Sequence, residues 1–133
     1  MDFTIGVEHR SRAGLVFQPL HRFDDSAWNF LWQDLGVSHA RIEEVAEAIQ
    51  AQKTFIPVLP GFSLLSRLMF IDEGVVRYGK FEIEELRGEC MRLKDVVAGR
   101  PSQNLIDSLS NATTEAKKKD GEVLVHPFGW SGQ

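Results

Sequence analysis

The chain has 133 residues, 43% of them hydrophobic and 10% aromatic, so it is sized for a single domain and too apolar for a disordered segment. Fifteen Lys and Arg against nineteen Asp and Glu give a formal net charge of -4, which argues against a domain that binds by neutralising phosphates, so nucleic acid is not an expected direct partner. No apolar run approaches the roughly 18 residues of a spanning helix, and the start at Met1-Asp2-Phe3-Thr4 lacks the basic and apolar regions of a signal peptide. The expected setting is cytoplasmic, without a membrane partner. The single cysteine, Cys90, allows neither an internal disulfide nor a cysteine-based zinc site.

Asp2 to Val7 is rich in β-formers and predicts a first strand, followed by the polar stretch Glu8 to Arg12 and a second strand at Leu15-Val16-Phe17. Asp24-Asp25-Ser26 offers a helix N-cap, with Trp28, Leu31 and Leu35 at helical spacing until Gly36. Ser38 can cap a second helix to about Gln52, whose stripe is Ile42, Val45, Ala46 and Ile49. The short connection predicts a helical hairpin. Pro57, Pro60 and Gly61 mark a loop.

Ser63 to Ile71 fits a short buried helix or a buried strand, and its leucines and methionine favour helix. Asp72-Glu73-Gly74 stops it, and Val75 to Tyr78 reads as extended. The clearest periodicity follows: Ile83, Leu86, Cys90, Leu93 and Val97 form one seam on a helix from about Glu82 to Ala98. Ser102 caps a further helix through Leu105, Leu109, Ala112 and Ala116, ending on Lys117-Lys118-Lys119, with Gly121 as the residue after the C-cap. Val123-Leu124-Val125 closes the set as a strand. The expected fold class is α+β: one domain, with a small sheet from the N-terminal strands and a C-terminal strand, covered by four to five helices.

No local signature of nucleophilic, metal or nucleotide chemistry is present, so no catalytic residue, metal ligand or cofactor is expected. His9, His21, His39 and His126 are scattered and read as surface or strand-end side chains, and Cys90 on the seam reads as a buried, inert thiol. The carboxylates are more informative, because six of the nineteen acids fall between residues 72 and 89. Glu82, Glu85 and Glu89 share one flank of the helix seam. Together with the turn at Asp72-Glu73 they are the candidate partner-binding surface, one that would suit a basic partner. Trp130, in the closing Pro127-Phe128-Gly129-Trp130, is a candidate interface anchor.

The run Leu65-Ser66-Arg67-Leu68, the acidic turn, Glu84-Glu85-Leu86 with Glu89-Cys90-Met91-Arg92-Leu93, the second seamed helix and the closing Leu124 to Trp130 resemble small bacterial immunity proteins of polymorphic toxin and contact-dependent inhibition systems. The resemblance spans roughly residues 62 to 130. It implies a non-catalytic, toxin-neutralising protein that binds a cognate toxin domain, for which a basic nuclease is the candidate. The alternatives from other classes are a homodimeric structural or regulatory module, and a small enzyme or ligand-binding domain.

Overall fold

The computed structural model describes residues 2–24 and 26–127. Two long strands, β1 (Asp2–Ser11) and β2 (Gly14–Asp24), form an antiparallel hairpin. Helices α1 (Ser26–Asp34) and α2 (His39–Gln52) follow, then the single turn α3 (Ser63–Ser66), which runs on as a 3-10 segment, Arg67–Glu73. Strand β3 (Val76–Tyr78) leads through a 3-10 turn, Lys80–Glu82, into α4 (Ile83–Leu93); α5 (Gln103–Lys119) and β4 (Glu122–Pro127) are the last elements of the described residues. The sheet is antiparallel throughout in the order β2-β1-β4-β3, so the fold is α+β. No helix of the described residues is long and apolar enough to cross a membrane.

Side chains alternate across a strand, and the register puts Phe3, Ile5 and Val7 of β1 beside Val123 and Val125 of β4 and Val76 and Tyr78 of β3. All seven are buried and form the floor of the core. Helix α5 lies across β1 and β4 with Leu105, Leu109, Ala112 and Ala116 inward, and α4 packs on α5 through the seam Ile83, Leu86, Cys90 and Leu93. At about 25 cal/mol per Å² of apolar surface removed from water, such a continuous core is the main stabilising term. On the opposite face Arg77 donates to Glu8 at 2.7 Å and to Glu122 at 2.5 Å, tying β3, β1 and β4 together.

Several expectations need correction. The first two strands are much longer than the segments 2–7 and 15–17. Pro19 is accommodated within β2 because this strand is the sheet edge; it pairs with Gly6 next to a register shift that leaves Leu20 as the extra residue. Gly6 is required by crowding: a Cβ there would lie 2.3 Å from the Gln18 carbonyl oxygen and 2.6 Å from the Phe17 ring. Helices α1 and α2 do not pair along their lengths as α4 and α5 do, and of the α2 stripe only Val45 is buried. Ser102 does not cap α5 through its side chain; its N–H and hydroxyl donate to Asp34 at the end of α1, at 3.0 and 2.6 Å. Gly121 does follow the C-cap of α5, as expected; the left-handed residue is the cap itself, Asp120, and Gly121 also admits the close approach of the Glu8 carbonyl, 2.4 Å from where a Cβ would sit.

The segment 63–71 is helical, as expected, but loosens from α-helix to 3-10 geometry after one turn. Ser38 caps α2 by accepting the Arg41 N–H at 3.1 Å, and Gly36 ends the α1 region at φ +73°. In the Asp24-Asp25-Ser26 cap, Asp24 accepts the Ser26 N–H at 2.9 Å; Asp25 lies outside the described residues.

Candidate functional site

The acids from 72 to 89 do not form one exposed surface. Glu89 is 1% exposed, against the expectation of a solvated flank. Its carboxylate accepts the backbone N–H groups of Leu64 and Leu65 at 3.2 and 2.9 Å, which are first-turn donors of α3 with no partner inside the helix. Burial raises its pKa while those two backbone bonds pull it down, and the net shift is upward. Glu89 is therefore a structural clamp between α4 and α3.

Glu82 is also committed. It takes a two-pronged ion pair from Arg67, with the Nη1 contact at 3.1 Å, and accepts the Gly79 N–H at 2.9 Å, which fixes the 3-10 turn that leads into α4. The Arg67 guanidinium holds its carboxyl below the ordinary range. Arg67 reaches the Arg77 carbonyl as well and lies 5.6 Å over the Tyr78 ring, whose buried hydroxyl donates to the Leu64 carbonyl at 2.7 Å. These bonds join α3, the 3-10 segment, β3 and α4 into one unit.

Of the other candidates, Glu73 and Glu85 are exposed, and Asp72 falls in the 3-10 segment. Glu84, counted in the acidic run, pairs with Lys117 at 2.5 Å. Trp130, with Phe128 and Gly129, lies outside the described residues. The acidic surface is thus cut to scattered charges, which weakens the case for a continuous acidic face that suits a basic partner. Cys90 is buried, and the apolar surroundings push its thiol up to about 12. Among the described residues no group of three or more His, Cys, Asp or Glu could hold a metal ion.

What sequence reasoning missed is Phe81. It stands in the 3-10 turn between Lys80 and Glu82 and is 97% exposed, the most exposed of the large hydrophobic side chains described. Beside it is a shallow recess of about 230 Å³ lined by Ile83, Ala116 and Gly121. Two ion pairs frame the recess: Lys80 with Asp120 at 2.7 Å, and Glu84 with Lys117. One sequence signal existed, since Phe81 falls outside the three-and-four spacing that begins at Ile83 and so has no place on the buried seam. An aromatic ring held in water by a braced turn, with paired charges around it, has the form of an interface anchor. The chain matches no family model, no curated protein and no solved structure.

Proposed function

We propose that this chain is a non-catalytic protein-binding domain, and specifically a toxin-neutralising immunity protein that holds a cognate toxin domain through the surface centred on Phe81. The observation that carries the reading is the 97% exposure of Phe81 on a turn fixed by the Glu82 bonds to Gly79 and Arg67. A ring left in water costs solvation in the free protein and is restored to an apolar setting when a partner covers it. Pre-organisation of the turn also limits the entropy lost on association.

The rim selects the partner. It carries both signs as two closed pairs, so the complementary surface is an apolar pocket edged by mixed charges rather than a uniformly basic face. Exposed Glu85, one turn along from Phe81, tunes encounter with a basic region of the partner but does not supply the anchor. A toxin domain inhibited from such a surface is blocked by cover, with no chemistry required of this chain.

The test is co-expression with the product of the neighbouring upstream gene, comparing the native chain with Phe81→Asp. Protection by the native chain, binding of the two purified proteins, and at least a 30-fold weaker complex for the variant, about 2 kcal/mol, are expected. A neighbour that is not toxic, a toxin left active, or a variant that protects equally well overturns the reading. So does concentration-dependent self-association of the native chain that Phe81→Asp abolishes, because the ring would then serve a homodimer.

A further inference from the structure

Away from Phe81, the outer edge of β2 borders an open groove of about 600 Å³ whose far wall is α5. On the strand side the groove touches Leu20, His21, Arg22 and Phe23 in succession. His21 and Phe23 pair with inward-facing Ile5 and Phe3, whereas Arg22 pairs with Thr4 on the other face of the sheet. A space that meets all three runs along the edge between the two faces, where an edge strand presents its outward main-chain N–H and C=O groups. Among the described residues nothing but β1 bonds to the main chain of 20–23. Pro19, which has no N–H, bounds this stretch on one side, and the turn into α1 bounds it on the other.

The helix wall matches the edge in length and chemistry. Asn104, Asp107 and Asn111 lie on one stripe of α5, and all three are exposed. They cover about 10 Å along the helix, and residues 20–23 cover about the same distance along the strand. Asn111 Nδ2 stands 3.0 Å from His21 Nε2, which ties helix to strand at that end. Arg22 is paired with Asp2 at 2.8 Å, so among the described residues Asp107 is the unpaired charge of the groove. The carboxamide of Asn104 can both donate to and accept from a peptide group. A peptide in extended form satisfies both walls, since its main chain continues the ladder while alternate side chains turn toward α5. A second copy of β2 paired symmetrically here would bring Asp107 toward its own counterpart, like charge on like charge, so a segment carrying a cation is favoured instead. We infer that this groove takes an extended, basic segment of a partner protein, added beside residues 20–23 as a fifth strand, with a Lys or Arg side chain on Asp107.

Proton–nitrogen correlation spectra of the full chain test this, with acetyl-Thr-Val-Lys-Val-Thr-amide as the probe. One control peptide is N-methylated at its three central residues, which removes main-chain donors, and a second carries Gln in place of Lys. The expected result is saturable binding below about 1 mM, with shifts at the amides of 20–23 and at the Asn104 side chain. N-methylation should weaken binding at least tenfold. The Lys-to-Gln change should weaken it about threefold on the native chain and not at all on Asp107→Asn. No saturable binding, shifts that lie outside the groove, or an N-methylated peptide that binds equally well overturns the inference. So do concentration-dependent shifts at 20–23 without peptide, because the edge would then pair with a second copy. Should Asp107→Asn fail to fold, the N-methylation contrast on the native chain decides alone. The groove shares no residue with the recess beside Phe81, so either site can fail without the other.

Discussion

The Glu89 carboxylate on α4 receives the Leu65 backbone N–H at 2.9 Å, closing the first turn of a helix that lies 24 residues earlier in the chain. An acid in a charge-rich run is thus spent on internal architecture. Removing it leaves two buried donors, at Leu64 and Leu65, without an acceptor. Glu89→Ala should therefore destabilise the fold by about 3 kcal/mol, read as a lowered urea midpoint at unchanged slope. Exposed Glu85→Ala should stay within about 0.5 kcal/mol.

The pH dependence follows from Glu82. Its folded pKa is lowered by Arg67, so in the range below its unfolded value the unfolded chain binds more protons than the folded one. The stability it contributes is present above the ordinary glutamate range and is lost as pH falls through the folded value. Glu82→Gln should thus be less stable than the native chain at pH 7, with the difference shrinking below about pH 4. Thermal melts of both proteins from pH 3 to 7 check the convergence. A difference that widens on acidification contradicts it.

Cys90 should behave as a reporter of opening. Its thiol is 1% exposed and pushed up to about 12, so little thiolate is available at pH 8. Labelling by a thiol reagent should be slow in the native protein and accelerate on unfolding in urea. Rapid labelling without urea would mean that α4 separates readily from α5.

Strand β1 permits no side chain at Gly6, because a Cβ would overlap the Gln18 carbonyl of the neighbouring strand and the Phe17 ring. Gly6→Ala should cost about 3 kcal/mol, as overpacking against backbone does. Gly88→Ala on the exposed side of α4, where a Cβ meets nothing within 4 Å, should instead stabilise by up to about 1 kcal/mol. Chemical denaturation of the two variants separates crowding from helix propensity.

Features written in local spacing were legible before the structure. The seam Ile83, Leu86, Cys90 and Leu93 packs as its spacing requires, and Ser38 caps α2. Features that depend on distant partners were not. The length of β2 depends on an edge position that excuses Pro19, and the burial of Glu89 depends on α3 docking over it. Glu89 sits beside the seam by spacing alone, and nothing local distinguishes it from exposed Glu85. For the same reason, reversing Glu82, Glu85 and Glu89 together would probe the fold as much as any binding surface.

The proposed partner-binding surface is centred on Phe81 rather than on the acidic flank, and one comparison separates the two. Affinity for the partner that the proposed function requires is measured for Phe81→Asp and for Glu85→Lys, both exposed and both checked for native melting. The expected outcome is a loss of at least 30-fold for Phe81→Asp and less than about threefold for Glu85→Lys. A Phe81→Asp complex as tight as the native one, with Glu85→Lys strongly weakened, would contradict it.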